Sequence, residues 1–365
     1  MRPVSDTLLF AAASDVSTLI PPTGPFTGDV LVTNASASPY IRVYPYTDAA
    51  GWGTLYSAPA SPPIVAVDSA VFAADGSAIF VGQRTTPFIS AYAWTSGTGF
   101  GTKYSDPATV MPGTSTPDMV SAPNSSVIFA ISTSSPFLNA YSWSSATGFG
   151  AKYANPSVLP QSNLNSIACS PTGNAVSMTR SSSAAPFQVQ TYAFNAATGF
   201  GAAYSNPSVT GAGYGVKWNY TGDVIFAATG AGSYLYAWPW SDATGFGAAY
   251  SAPTVSPTFT ARAKTLAVAP DSSTVLIGKS SAPQFRVWAF DIVTGWGAEL
   301  SSITIGGNGS ASNIAVTGDV AFVGCSSTAA LKAYDWSSSG VGTDRGSIAG
   351  GAFTPTKIDS FHNGT

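Results

Sequence analysis

A Gly-aromatic-Gly triplet recurs through the chain, at Gly51-Trp52-Gly53, Gly99-Phe100-Gly101, Gly148-Phe149-Gly150, Gly199-Phe200-Gly201, Gly245-Phe246-Gly247 and Gly295-Trp296-Gly297, with a degenerate copy at Gly340-Val341-Gly342. The central residues lie 48, 49, 51, 46, 50 and 45 positions apart, so the repeat is close to 48 residues long. A period of that length admits few architectures. Each copy must be one supersecondary unit that hides its apolar face only by stacking on the next. Four residues after six of the centres stands Tyr56, Tyr104, Tyr153, Tyr204, Tyr250 or the substitute Leu300, and three further on come Pro59, Pro107, Pro156, Pro207 and Pro253.

Upstream of each triplet are two aromatic residues spaced by two, from Tyr44/Tyr46 and Tyr92/Trp94 through Trp288/Phe290 to Tyr334/Trp336. That spacing puts both rings on one face of a β-strand. Before them come short apolar runs such as Ala78-Ile79-Phe80-Val81 and Val224-Ile225-Phe226-Ala227, opened by turn residues such as Asp75-Gly76. Such runs are strands of hairpins. Each unit therefore reads as an inner strand, a turn, an apolar strand, a loop, an aromatic strand, the Gly-aromatic-Gly turn and an edge strand from Tyr to Pro. Four strands in 48 residues make a propeller blade. No 3.6-residue pattern persists, which excludes helical repeats of similar period. The expected fold is all-β: a seven-bladed β-propeller of four-stranded antiparallel blades.

The chain ends predict how the ring closes. Inner strands are expected at Ala70-Val71-Phe72, Met119-Val120, Ile167-Ala168-Cys169, Val216-Lys217-Trp218, Leu266-Ala267-Val268 and Ile314-Ala315-Val316, and the C-terminal Lys357-Ile358-Asp359-Ser360-Phe361 supplies the seventh. Its partner is Gly28-Asp29-Val30-Leu31-Val32, so the C-terminal inner strand pairs with the N-terminal blade and leaves no open edge. Residues 28–365 form the propeller in this reading, and 1–27 an N-terminal arm or added strand. The arm carries Leu8, Leu9, Phe10, Leu19 and Ile20, which are expected to mediate assembly by pairing with a sheet edge or another subunit.

Only 8% of residues are charged, against roughly a quarter in ordinary domains, so ionic chemistry is scarce. The single histidine is His362 and the single glutamate Glu299, which removes the raw material for triads, two-histidine metal sites and glutamate pairs. A net charge of -3 offers no basic stripe for nucleic acid. Cys169 and Cys325 lie in apolar stretches and read as buried free thiols. The apolar run Leu8–Ala13 is only six residues long and follows Asp6, so cleavable export is the lesser of the two expectations, and no stretch is long enough to span a bilayer. Most aspartates fall in repeat-equivalent turns, where local hydrogen bonds account for them. Five residues on inner strands, Asp118, Lys217, Asn313, Lys357 and Asp359, are expected to line the central tunnel, where a propeller ligand is sought. The recurrent aromatics are read as packing between blades. Tyr214, Tyr220 and Tyr234 break the repeat and are candidates for exposed rings, as are Phe88 and Phe137, although Pro87 and Pro136 before them make these two look like recurrent packing devices.

The Pro-Asp-like turn, Ile-Phe-Val strand, aromatic strand and Thr-Gly-Phe-Gly turn resemble the YVTN and WD-repeat class of seven-bladed propellers over residues 28–365. The Gly-His and Trp-Asp signatures of true WD repeats are missing, as are the Glu- and His-bearing sites of metal lactonases. The Ala-Thr-Gly-Phe-Gly and Tyr-Ser-Asn-Pro texture is similar to propeller proteins of tailed-bacteriophage virions. That resemblance implies a non-enzymatic structural or binding protein located in a virion, with no cofactor or metal. Its partners would be other virion proteins, further copies of itself or host-surface glycans, and neither nucleic acid nor membrane. The alternatives are a secreted or cell-surface bacterial propeller that binds carbohydrate or protein, and a lactonase- or hydrolase-like propeller using Asp and Lys at the tunnel mouth.

Overall fold

The structure, a computed structural model, describes residues 25–34, 38–182, 188–231, 234–254, 265–279, 282–305, 311–325, 331–348 and 355–362. The expected arm residues Leu8, Leu9, Phe10, Leu19 and Ile20 lie outside them. Among the described residues there is no helix, and 28 strands form seven antiparallel sheets of four. Blade 1 runs from Pro355–His362 inside through Thr27–Asn34 and Ile41–Thr47 to Gly51–Trp52 outside. Blades 2 to 7 follow in chain order, with inner strands Val67–Phe72, Met119–Ser121, Leu164–Cys169, Gly213–Trp218, Leu266–Val268 and Ala311–Thr317. Closure is as the sequence predicts: Val30 faces Ser360, Leu31 faces Asp359 and Val32 faces Ile358.

Seven apolar clusters hold the ring together, one between each pair of neighbouring blades, including the pair that joins blade 7 to blade 1. The second strands explain this. In Ala78–Gln83 every residue is buried, because Ile79 and Val81 pack towards blade 1 while Phe80 packs towards Trp143 of blade 3. Alternating residues of one strand thus enter two different interfaces, so the run must be apolar throughout. Phe26 and Phe322 play the matching part at the closing interface, edge to face at 5.3 Å.

The recurrent triplet has a different role from the expected turn. Its first glycine closes the hairpin at positive φ, 82° at Gly148, and the triplet itself opens the outer strand Gly148–Lys152. A Cβ at Gly150 would stand 2.4 Å from the Ser142 hydroxyl on the neighbouring strand, so the third position also has to be small. The expected edge strand from Tyr to Pro is corrected accordingly: the strand ends before the tyrosine, which turns towards the next blade. Tyr104 packs its ring against Gly148 and Trp143, and its hydroxyl donates to the Ser145 carbonyl at 2.7 Å. Tyr153, Tyr204 and Tyr250 make the same bond to Ala196, Asp242 and Ile292. Each such latch contributes about 1 kcal/mol. A single buried Phe or Leu contributes roughly 1.5–3 kcal/mol, so the clusters dominate and the latches set the angle between blades.

Candidate functional site in the central tunnel

The hairpin registers place Val71, Val120, Ala168, Lys217, Ala267, Ala315 and Asp359 at one level of the seven inner strands. Five of these are valine or alanine, so the charged pair, on blades 5 and 1, departs from the repeat. Two residues earlier on each strand lies a second level, of Ser69, Asp118, Ser166, Gly215, Thr265, Asn313 and Lys357. It is small or polar throughout.

The second level forms a floor. Lys357 reaches from blade 1 to an ion pair with Asp118 on blade 3. Asp118, only 3% exposed, also accepts the backbone N–H groups of Met119 at 2.9 Å and Ile167 at 3.1 Å. Its carboxylate is therefore engaged as a structural tie between blades 3 and 4. Asn313 sits beside Thr265, Ser166 and Gly215 around a small void of about 20 Å³. Above the floor is a cavity of about 730 Å³, on the face of the disc that carries the hairpins between first and second strands. Lys217, Lys357 and Asp359 line it, as do Trp218, Tyr220, Asp75 and His362 nearer that face.

Among the described residues, Lys217 has neither a hydrogen bond nor an ion pair at Nζ. Part of its surface meets the cavity, yet protein surrounds it. Burial lowers its pKa, the like charge of Lys357 lowers it further, and Asp118 and Asp359 oppose both. Burial pushes the Asp359 carboxyl above its ordinary value, against the pull of the Phe72 N–H at 2.8 Å and of the two lysines. Tyr220 is held well up by burial and by Asp359. It stands at the hairpin position that other blades fill with Ala74, Pro123, Pro171, Pro270, Gly318 and His362, so that only blades 5 and 1 carry a ring there. His362 packs edge-on against Phe26 at 5.2 Å, and neither ring nitrogen has a hydrogen-bond partner among the described residues.

Of the five residues expected in the tunnel, the structure brings Lys217, Lys357 and Asp359 into one cavity, buries Asp118 beneath it and sets Asn313 in the floor. Sequence reasoning treated Tyr220 only as an exposed ring. The signal that finds it is the aligned column of small residues and prolines that it and His362 interrupt. Of the other candidate rings, Phe88, Phe137 and Tyr234 pack against inter-blade clusters. Both thiols are pushed up to about 12 by burial, so neither is a thiolate nucleophile near neutrality. Among the described residues no three His, Cys, Asp or Glu side chains gather as a metal site. What the cavity offers is a carboxyl of raised basicity, an amine of lowered basicity and a phenol, around a space large enough for a sugar-sized molecule. That set suits acid–base hydrolysis.

No protein-family model matches the chain, and no curated protein matches it in sequence. Solved structures do match. A Bacteroides uniformis protein named a "putative 6-phosphogluconolactonase" superposes with a TM-score of 0.71 at 13% identity, over 92% of this chain and 99% of that one. A Bacteroides fragilis protein of the same name gives 0.68 at 13%, over 93% and 99%. The periplasmic gluconolactonase of Pseudomonas aeruginosa gives 0.69 at 13%, over 92% and 99%. At these identities the likeness is one of fold: the chain is a seven-bladed propeller of the shape those proteins have.

Two expectations are corrected here. The sequence pointed to a non-enzymatic chain and to a structural protein of a phage virion, whereas these similar propellers carry lactonase names and none is a virion protein. The physical reason is that the sequence argument counted residue types. With one histidine and one glutamate the count excluded familiar sites, but a propeller can bring a few residues from different blades together, as Lys217 and Tyr220 of blade 5 and Asp359 of blade 1 meet in one cavity.

Proposed function

We propose that the chain is a hydrolase that opens sugar-derived lactones in the tunnel cavity, the lactonase-like alternative of the sequence reading. The observation that carries the proposal is the convergence of Lys217, Tyr220 and Asp359, each a departure from its repeat column, on one cavity of about 730 Å³. The lactonase names of the similar propellers lend support. The repeat class, YVTN- and WD-like, belongs to the same proposal and rests on the blade motifs.

In this reading Asp359 is the general base. Burial raises its basicity towards the working range, where proton abstraction from water is most effective. The water oxygen attacks the lactone carbonyl carbon, its proton passes to the Asp359 carboxylate, and the carbonyl oxygen becomes an oxyanion facing the Lys217 ammonium. The ring C–O bond then breaks. The leaving alkoxide takes a proton from Lys217, whose lowered pKa makes it a better acid than an ordinary lysine, and the proton held by Asp359 then returns to Lys217, which restores both groups. Lactone plus water gives the open hydroxy acid, and the acid's proton leaves to solvent. Lys357, held by Asp118, keeps the floor closed.

The test is a pH-stat assay of glucono-1,5-lactone and 6-phosphogluconolactone opening. Activity above the spontaneous rate is expected, with Asp359→Asn lowering kcat/KM by roughly 10²–10⁴. The profile should be bell-shaped, its acid limb above the ordinary carboxylate range and its alkaline limb below that of lysine. Asp359→Asn should remove the acid limb. No opening of either lactone would end the reading.

A further inference from the structure

From the same cavity we infer that Lys217 is an amine nucleophile that forms imines with small, uncharged hydroxyaldehydes. Five of the seven residues at its level are valine or alanine, so the walls around Nζ are mostly apolar. Asp118 in the floor is already bound to Lys357 and to two backbone N–H groups. Asp359 accepts the Phe72 N–H. Among the described residues Lys217 makes no hydrogen bond or ion pair, and it lines the accessible cavity.

The charged and titratable groups that face this space are Lys357 and Asp359 from blade 1, Asp75 of the blade 2 hairpin, Tyr220 from its own blade, and His362 near the hairpin face, while Asp118 of blade 3 acts on Lys217 from beneath the floor. Burial and Lys357 outweigh the two carboxylates at Lys217, and each unit by which a lysine pKa falls raises its neutral fraction about tenfold. Lysines desolvated in this manner are the ones that form Schiff bases. The cations Lys217 and Lys357 are matched by Asp359 and Asp118, so the cavity has no surplus positive charge to favour a phosphorylated aldehyde.

The Nζ lone pair adds to the aldehyde carbon, and the carbonyl oxygen takes a proton from the Asp359 carboxyl to give a carbinolamine. Nitrogen then loses its proton, the hydroxyl takes one up, and water leaves as the C=N bond forms. Amine plus aldehyde gives imine plus water, with no oxidant or reductant involved.

The probe is D-glyceraldehyde with sodium cyanoborohydride, applied to the full chain at pH 7 and read by intact mass and peptide mapping. Near-equimolar aldehyde should give its principal lysine adduct on the peptide containing Lys217, formed faster than on any other lysine. Lys217→Arg should abolish that adduct while leaving the circular dichroism of the propeller. If the variant fails to fold, the pH profile of wild-type labelling decides, since its midpoint at Lys217 should fall below the ordinary lysine value of about 10.4. Label spread over the surface lysines with Lys217 unmodified, or a Lys217 midpoint at the ordinary lysine value, would overturn the inference. Labelling uses no lactone, so the two readings fail separately: opening without Lys217 labelling removes this inference, and labelling without opening removes the hydrolase.

Discussion

Lys217 occupies a column that elsewhere holds valine, alanine and aspartate, and the propeller gains nothing structurally from an ammonium there. The sign follows from its lowered pKa: below the unfolded-state value the folded chain must carry a charge that burial disfavours. Lys217→Met keeps the length and apolar stem of the side chain and removes that cost. Stability should rise, read as a shift of the urea midpoint at pH 7, while lactone opening is lost. A destabilised variant would mean that the ammonium supports the fold. Asp118 differs in kind although it lies one level away, since its carboxylate ties Lys357 and two backbone groups together.

At the scale of elements, the joint between blade 7 and blade 1 is held by more ionic contact than the aromatic latches of the other blades. Arg345 on the outer strand Gly340–Ser347 is hydrogen-bonded to Asp335 of its own blade and, at 2.5 Å, to Asp48 of blade 1, with Asp319 at 3.9 Å. Three carboxylates around one guanidinium leave negative charge in excess. The Asp48 carboxyl rises to about 6, first through burial and then through Asp319, against the Phe26 N–H and Arg345. A raised carboxyl contributes stability that is present below its unfolded value near 4 and is lost as pH rises through about 6. Urea denaturation between pH 4 and pH 7 should therefore show stability falling, with a smaller fall in Asp48→Asn. Equal slopes in the two proteins would place the charge effect elsewhere.

Over the whole molecule, one chain end carries both closure and chemistry. Pro355–His362 supplies the inner strand of blade 1, Ile358 in the closing cluster, Lys357 in the floor and Asp359 in the cavity. Removing residues 355–365 would strip the edge of Thr27–Asn34 and open the apolar joint between blades 7 and 1. The truncated chain should unfold without a cooperative transition and aggregate on size-exclusion chromatography. A monomer with a normal melting transition would show that the ring does not depend on this strand.

By itself the sequence determined the blade count, the order of strands and the pairing of Gly28–Val32 with the C-terminal segment, because each follows from local periodicity repeated seven times. It also marked Asp118, Lys217, Asn313, Lys357 and Asp359 as tunnel residues, since each lies on an inner strand of a known column. Only the tertiary structure decided which of them are tied into the floor and which line the cavity. Asp118 and Lys357 are 239 positions apart and Lys217 and Asp359 sit three blades from one another, so the ion pair of the first two and the shared cavity of the second two depend on the diameter and level of the tunnel, which no local pattern encodes. Tyr220 joined the site for the same reason: a hairpin residue in the sequence becomes a wall of the cavity once the ring closes around it.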